Sequence, residues 1–337
     1  MSDRRLAVVG ATGAVGRTMI RVLEERSFPI SDLRLLASAR TAGQKVATHW
    51  GEVVVEDLSE ADPSGIDLAL FSAGADRSRS FAPAFVAAGA IVIDNSSAFR
   101  QDPTVPLIVA GVNDSAATGH QGLIANPNCT TMTLMMGLAP LHRGAGLRHL
   151  VATSYQSVSG AGQRGIDELT HQIEQLGKDP RLLVEGGWDD PGAEVFPRPI
   201  GWNVIPHAGN LGEGGYTDEE WKLVNETRKI LDVPQATIEP TCVRVSVMVG
   251  HGVAATAYFH RPLPLEEAVS MLTAAPGIEL WTEVAPTPLD CAGRDEVLVG
   301  RVRPTIGELG GVSFWAVGDN LRKGAATNAV QIAELLS

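Results

Sequence analysis

One cysteine stands where its thiol could act as a nucleophile. The apolar run 122–125 is followed by the turn Asn126-Pro127-Asn128, and Cys129 then opens a stretch with helical spacing. Thr130 and Thr131 are the expected cap residues. Free N–H groups and the helix dipole at such a position favour the thiolate, which attacks carbonyl carbon. On this pattern alone, a buried structural cysteine remains an open alternative.

The composition limits the class of protein. The chain has 337 residues, with 44% apolar and 20% charged residues, which fits a globular protein of two domains. Its net charge of −12 excludes a global basic surface for nucleic acid or membrane. Three cysteines without a Cys-x-x-Cys pair argue against a disulfide framework and a cysteine-rich zinc site, so no metal is predicted. No apolar run is long enough to cross a bilayer, and we expect a cytoplasmic protein.

The N-terminal stretch has the pattern of a dinucleotide-binding loop. A short apolar strand over 6–9 is followed by glycines at Gly10, Gly13 and Gly16 and then by helical spacing. Glycines there allow a tight turn and a close approach of backbone to pyrophosphate, which the helix N-terminus stabilises. The Gly-x-x-Gly-x-x-Gly spacing is not the commoner one, so a plain glycine-rich turn remains the alternative.

The end of the next strand, 33–36, indicates which nucleotide binds. An acidic residue usually meets a free ribose 2′-hydroxyl there, but Ser38 and Arg40 follow this strand instead. Both suit a 2′-phosphate, with Lys45 as a possible helper. The pattern therefore favours NADP over NAD, against the alternative of a solvated loop arginine.

Further β-α-β alternation predicts a parallel, doubly wound sheet with ligands at the strand C-termini. The strand 67–71 ends in the small-residue turn 72–75, which lets a cofactor lie close. The strand 91–93 ends in the polar loop 94–100, where Arg100 could clamp an anion or pair with a carboxylate.

The second half of the chain contains several predicted strands, at 148–155, 241–249, 253–259, 297–302 and 311–317. Residues 163–215 show no clean periodicity and are interpreted as an insertion that covers a site or builds a subunit contact. Glu219 and Lys222 lie three apart on a predicted helix, a spacing that usually means a surface ion pair. Arg244 and His251 are weak signals individually.

Taken in order, these motifs resemble the aspartate-β-semialdehyde dehydrogenase family essentially end to end. The matching segments are Gly10 to Gly16, Ser38-Ala39-Arg40, Asp94 to Arg100, Asn126-Pro127-Asn128-Cys129, Ser154-Tyr155-Gln156, Ser159 to Gly162, Glu219 with Lys222, Arg244, Gly250-His251 and Asn320 to Ala326. Ser157 departs from the pattern, because a small apolar residue is expected after the glutamine.

The resemblance implies reductive dephosphorylation of L-aspartyl-4-phosphate by NADPH, in lysine, threonine, methionine and diaminopimelate biosynthesis. It implies that Cys129 forms a thioester, that His251 is a general acid/base with a pKa near neutrality, that Gln156 orients the substrate and that Asn128 shapes the acyl site. From the charges of the substrate, we expect Arg244 to bind its carboxylate and Glu219 to bind its ammonium group. Arg100 and Lys222 are then expected to bind its phosphate.

The implied fold is α/β: a Rossmann-type NADP-binding domain (1–128 with 322–337) and an α/β catalytic domain with a mixed sheet (129–321), which makes a homodimer. This is the architecture of glyceraldehyde-3-phosphate dehydrogenase. The implied cofactor-binding residues are Gly10, Thr12, Gly13, Ala14, Val15, Gly16, Ser38, Arg40, Ser72, Gly74, Asn95, Ser159, Gly160 and Asn320.

There are two alternatives, a related cysteine-dependent acyl-phosphate reductase and a protein of a different class. An N-acetylglutamyl-phosphate reductase would act on an acetylated amine, which carries no positive charge and needs no carboxylate partner such as Glu219. A non-catalytic NADP-binding homologue would be expected to lack the nucleophile, whereas Cys129, Gln156, Arg244 and His251 are all present.

Overall fold

The computed structural model describes residues 3–307 and 310–336. The chain forms two compact units, the first from residues 1–139, 225–234 and 321–337, and the second from 140–224 and 235–320. Within the described ranges, no helix combines the length and the apolar character needed to cross a membrane.

The first unit is built on a sheet with the order β3-β4-β2-β1-β5-β6-β7. Its strands are β1 Arg4–Val9, β2 Ile30–Ala37, β3 Lys45–Thr48, β4 Gly51–Asp57, β5 Leu68–Phe71, β6 Ile91–Asp94 and β7 Leu123–Ala125. All pairings are parallel except β3–β4, which is an antiparallel hairpin. The predicted doubly wound parallel sheet is thus confirmed.

The strands of this sheet read as nearly continuous apolar runs because both faces are covered. Residues 6 to 9 of β1 are all buried, and alternate side chains enter two different core clusters. The C-terminal helix packs into the cluster that also holds the first helix, through Ala329, Val330 and Ile332.

The second unit contains a mixed sheet with the order β12-β13-β14-β11-β8-β10-β9. Its strands are β8 Leu147–Gln156, β9 Val204–Ile205, β10 Thr237–Val245, β11 His251–Phe259, β12 Ile278–Trp281, β13 Val297–Pro304 and β14 Gly311–Gly318. Strand β8 pairs parallel with β10 and antiparallel with β11, so the C-terminal ends of β8 and β10 lie at the same edge as the start of β11. The mixed sheet predicted for this part of the chain is therefore present.

The helices are α1 Ala14–Glu25, α2 Ala75–Ala87, α3 Cys129–Ala145, α4 Gln163–Leu176, α5 Arg181–Glu185, α6 Asp218–Leu231, α7 Leu265–Ala274, α8 Pro288–Cys291 and α9 Thr327–Leu335.

Three details of the sequence prediction are wrong. Strand β10 ends at Val245 rather than Val249, and His251 begins β11 rather than preceding it in a loop. Helix α4 lies inside the stretch interpreted as lacking periodicity. Its signal was present, since Ile166, Leu169, Ile173 and Leu176 recur on one face, but the irregular sequence after residue 177 obscured it.

Residues 225–234 are expected in the second domain on sequence alone, but they pack in the first unit. One buried contact and one half-buried contact hold these residues there. Glu226 bonds with Arg100, and Lys229 donates to the carbonyl oxygens of Arg100, Asp102 and Val105 at 2.6–2.9 Å.

Candidate active site

Cys129 is the first residue of α3 and is half-buried, whereas Cys242 and Cys291 are buried. The cap of this helix is Asn128, not the predicted Thr130 or Thr131. The Oδ1 of Asn128 accepts the N–H groups of Thr130 at 2.9 Å and of Thr131 at 3.4 Å. Asparagine is favoured there because its short amide reaches the second and third helical N–H groups. The predicted placement of the thiol at the head of a helix is confirmed.

Burial makes the other two thiols poor nucleophiles. Desolvation raises the pKa of Cys242 to about 12 and, likewise, the pKa of Cys291 to about 12.

A buried carboxylate, Glu226, lies beside the cysteine loop. Its Oε1 accepts from Arg100 Nη1 at 3.0 Å, and its Oε2 accepts the N–H of Asn128 at 2.7 Å. The Nε and Nη2 of Arg100 donate to the carbonyl oxygens of Asn126 and Asn95. Arg100 was expected either to clamp an anion or to pair with a carboxylate, and in this structure it pairs with a carboxylate.

The loop before Cys129 is further fixed by asparagines. The Nδ2 of Asn126 donates to Asn95 Oδ1 and, at 3.1 Å, to the carbonyl of Ala325. The Nδ2 of Asn328 donates to Asn126 Oδ1 at 2.6 Å. Asn95 is predicted to contact the cofactor, and in this structure its side chain supports the loop that carries the nucleophile.

The glycines of the first loop have different roles. Gly10 has φ +87°, and a Cβ there would lie 2.2 Å from the carbonyl oxygen of Ser72. A Cβ on Gly16 would lie 2.2 Å from the carbonyl oxygen of Gly10, so Gly16 permits α1 to pack on the loop. Gly13 precedes α1, is exposed and has room for a Cβ. With Thr12, Ala14 and Val15, it is the part of the loop that a pyrophosphate could approach.

The residues expected to contact the rest of the nucleotide also follow strands of this sheet. Ser38 and the exposed Arg40 come directly after β2. Lys45 donates to Glu52 at 2.7 Å. Ser72 and the exposed Gly74, with φ +87°, follow β5.

The second unit brings together three other predicted site residues at one sheet edge. Gln156 ends β8 and pairs in register with Arg244 of β10, while His251 begins β11. A Cβ on Gly160 would lie 3.1 Å from Arg244 Nη1 and 3.2 Å from His251 Nε2. The absence of a side chain on Gly160 therefore leaves room for both Arg244 and His251 beside its exposed backbone.

Arg244 is held from two sides. Its Nη1 donates to the carbonyl oxygen of Ser157 at 2.7 Å, and its guanidinium carbon lies 5.7 Å from the centre of the Phe196 ring.

The pKa of His251 differs from the sequence expectation. A value near neutrality was predicted, but burial and then the charge of Arg244 lower the pKa of His251 to about 3. The imidazole is fully buried, and its Nε2 has no hydrogen-bond partner among the described residues. His251 is therefore neutral at physiological pH.

Glu219 and Lys222 form the ion pair that their spacing predicted. Lys222 Nζ lies 2.7 Å from Glu219 Oε1 and 3.1 Å from Asp218 Oδ2. Burial alone would lower the pKa of Lys222, but the two carboxylates outweigh it and the pKa is raised. The other oxygen of Glu219, Oε2, lies 3.5 Å from Gln156 Nε2, so this pair borders the same sheet edge.

Asn320 joins two loops of the second unit. Its Oδ1 accepts the N–H of Gly250 at 2.9 Å and lies 3.0–3.1 Å from the hydroxyls of Ser157 and Ser159. Its Nδ2 donates to Ser159 Oγ at 2.9 Å. Asn320 and Ser159 were predicted to bind the cofactor, and in this structure their side chains bond to each other.

Sequence reasoning missed two residues of these groups. Nothing local distinguishes Glu226 from other acids of a helix surface. Ser157 did carry a signal, because it departs from the family pattern.

Two family models match the chain. One, described as semialdehyde dehydrogenase, NAD binding domain, matches residues 5–120, and the other, semialdehyde dehydrogenase, dimerisation domain, matches residues 138–323. The aspartate-semialdehyde dehydrogenase of Mycolicibacterium smegmatis is 47% identical over 98% of each chain. That of Streptomyces akiyoshiensis is 48% identical over 99% of this chain and 98% of the relative.

The chain belongs to the aspartate-semialdehyde dehydrogenase family. The family resemblance drawn from the motifs is thereby confirmed, and the chain is an oxidoreductase with a Rossmann-type nucleotide-binding domain.

Solved structures of the family share the fold. Aspartate semialdehyde dehydrogenase II from Vibrio cholerae superposes with a TM-score of 0.93, at 44% identity over 99% of this chain and 98% of that one. A structure of that enzyme complexed with ASA gives the same TM-score. A probable aspartate-semialdehyde dehydrogenase from Pseudomonas aeruginosa gives a TM-score of 0.91 at 34% identity, covering 99% of this chain and 98% of that one.

Proposed function

We propose that this member of the aspartate-semialdehyde dehydrogenase family converts L-aspartyl-4-phosphate to L-aspartate-4-semialdehyde and phosphate with NADPH, in lysine, threonine, methionine and diaminopimelate biosynthesis. The observation that carries the proposal is the half-buried Cys129 at the start of α3, capped by Asn128. The names of the relatives and the Vibrio cholerae complex with ASA support the choice of substrate.

The chemistry runs through a thioester on Cys129. The thiolate adds to the C4 carbonyl carbon, the bond from that carbon to the phosphate oxygen breaks, and phosphate leaves. NADPH, when bound, supplies the hydride that reduces the thioester carbon. The C–S bond then breaks and the Cys129 thiolate is restored. His251 donates its Nε2–H to the oxygen on which negative charge develops, and Gln156 orients that group.

Substrate recognition follows from charge. Arg244 suits the α-carboxylate because its guanidinium can bind both oxygens, and Glu219 suits the α-ammonium. Arg100 and Lys222 are assigned to the phosphate. Glu219 Oε1 is paired with Lys222, and Glu219 Oε2 lies on the side of Gln156. We therefore propose that Oε2 binds the ammonium group of the substrate.

We propose NADP as the cofactor, held along the predicted residues of the first unit (Gly10 to Gly16, Ser38, Arg40, Ser72, Gly74 and Asn95) with Ser159, Gly160 and Asn320. Support comes from the open backbone at Gly13 and Gly74 and from the exposed Arg40 after β2, where an acid would select NAD. These residues fit a phosphorylated dinucleotide.

A homodimer, the domain division 1–128 with 322–337 and 129–321, and a cytoplasmic location stay predictions. The dimer is supported by the dimerisation-domain match, and a reducing compartment by the free thiols of the three cysteines.

The decisive experiment supplies aspartate semialdehyde and phosphate with NADP or NAD and follows nucleotide reduction. We expect phosphate-dependent reduction of NADP, abolished in Cys129→Ser while NADPH binding persists. Cys242→Ser is the matched control and should keep activity. Faster turnover of N-acetylglutamate semialdehyde would show that the proposed substrate is wrong. Retained activity in Cys129→Ser would show that the reaction does not pass through a thioester on Cys129.

A further inference from the structure

Two groups of one serine contact the same nitrogen of His251. The N–H of Ser157 donates to His251 Nδ1 at 3.0 Å, and the Ser157 hydroxyl oxygen lies 3.1 Å from that nitrogen. Both residues are fully buried. Because the backbone N–H can only donate, Nδ1 must present its lone pair, and the ring hydrogen of the neutral imidazole must reside on Nε2.

The hydroxyl of Ser157 is itself fixed. It lies 3.0 Å from Asn320 Oδ1 and 3.1 Å from the Ser159 hydroxyl. Asn320 also accepts the N–H of Gly250, the residue before His251. The serine thus links the loop after β8 to the start of β11 at the point where the imidazole is attached.

The opposite ring nitrogen, Nε2, is buried and lies next to Gly160. Nε2 has no hydrogen-bond partner among the described residues, and it lies beside the exposed Gly160 and the guanidinium of Arg244. A buried N–H without a partner costs free energy, so an acceptor atom of a ligand is expected there.

We propose that Ser157 is a positioning residue for the reaction. Its N–H donates to His251 Nδ1 and so sets the tautomer, while its hydroxyl, which donates to Asn320 Oδ1 and lies against the ring edge, holds that loop and the ring in the orientation that presents Nε2–H to the substrate oxygen. The proposal rests on the proposed function, because His251 is its acid/base. Two further groups act on the ring. Burial and then the charge of Arg244 lower the pKa of the imidazole, and a backbone hydrogen bond with Gly250 raises it, whereas Ser157 contributes hydrogen-bond geometry and no charge.

The first test observes the tautomer directly. Nitrogen-15 spectra of the protein labelled in its eight histidines, with the His251 signals identified from the His251→Asn variant, should show a neutral ring protonated at Nε2 at pH 7. A ring protonated at Nδ1 would overturn the proposal.

The second test removes only the hydroxyl. Ser157→Ala should keep its fold and substrate KM but lose about tenfold in kcat, less than the roughly 10²–10⁴-fold that loss of acid–base catalysis costs in His251→Asn. The solvent isotope effect on kcat should rise, and Ser157→Thr, which keeps the hydroxyl, should recover part of the rate. Ser313→Ala, which removes a hydroxyl bonded to Thr256 on the same sheet, should change neither.

The outcomes separate the two proposals. If His251→Asn is severely impaired while Ser157→Ala keeps the wild-type kcat and isotope effect, the role of Ser157 is wrong and the proposed function stands. If His251→Asn retains full activity, His251 is not the acid/base and the proposed mechanism itself is wrong.

Discussion

Glu226 Oε1 lies 3.0 Å from Arg100 Nη1, across 126 residues of sequence, while its Oε2 accepts the N–H of Asn128 at 2.7 Å. One buried carboxylate therefore balances the arginine proposed for the substrate phosphate and also fixes the cap of the nucleophile helix. The charge of Arg100 and the geometry of Cys129 depend on the same side chain.

This relationship predicts a large loss of stability in Glu226→Ala. Removing one partner of a buried ion pair leaves the other charge unpaired, which costs about 3–5 kcal/mol. Denaturant unfolding measures the loss. Glu226→Gln, which keeps an acceptor for the Asn128 N–H, should recover part of it. Asp67→Ala breaks the exposed pair with Arg5 and should cost much less than Glu226→Ala. Equal losses in the buried and exposed variants would contradict this account.

Acid should destabilise the protein partly through His251. In the folded protein the pKa of His251 is lowered to about 3, whereas in the unfolded chain it is near 6.5. Below pH 6.5 the unfolded chain therefore binds a proton on this imidazole, and the folded protein does not. Stability is therefore full above pH 6.5 and falls as pH decreases. Between pH 7 and pH 5 this group should account for about 2 kcal/mol of the loss. His251→Asn should lose that much less than wild type over the same interval when unfolding is followed in urea. Parallel pH dependences of the two proteins would show that His251 is not the responsible group.

Two glycines of the first loop should respond differently to alanine. Gly16→Ala places a Cβ 2.2 Å from a backbone oxygen and should destabilise the first unit. Gly13→Ala meets its nearest atom at 3.4 Å and has an ordinary φ of −76°, so stability should change little. If the pyrophosphate lies against Gly13, however, the added methyl group should raise the Kd for NADPH about tenfold, which corresponds to about 1.4 kcal/mol. Unfolding curves and NADPH titration separate the two effects, and an unchanged Kd in Gly13→Ala would place the pyrophosphate elsewhere.

Coenzyme preference should depend on Arg40. A hydrogen bond to a charged group contributes about 1.5–3 kcal/mol, so Arg40→Ala should raise the KM for NADPH roughly 10- to 100-fold and leave that for NADH unchanged. Lys45→Ala should have a smaller effect on the KM for NADPH than Arg40→Ala, because Lys45 is already paired with Glu52. A parallel change for both coenzymes would show that Arg40 does not bind the 2′-phosphate.

The three thiols should differ in reactivity. Cys129 is half-buried at a helix N-terminus, whereas burial raises the pKa of Cys242 and of Cys291 to about 12, which leaves almost no thiolate at pH 8. Timed alkylation with iodoacetamide, read by peptide mass spectrometry, should modify Cys129 first. Cys129→Ser should abolish the fast phase, and a fast phase that persists in this variant would assign the reactive thiol to another position.

The sequence by itself determined the elements whose signals are local. The glycine loop after β1, the parallel strands with their apolar runs and the cysteine at the head of α3 could be predicted because turn chemistry, periodicity and helix-end electrostatics act over a few residues. The ordered motifs also determined the family.

Only the tertiary structure decided the partners and the charge states. Glu226 on α6 looked like an ordinary surface acid, and a neutral His251 with its hydrogen on Nε2 could not be read from Gly250-His251. Both depend on burial and on groups that the fold brings together from distant segments. Desolvation and hydrogen bonding set a pKa and a tautomer, and neither is defined until the surrounding atoms are in place.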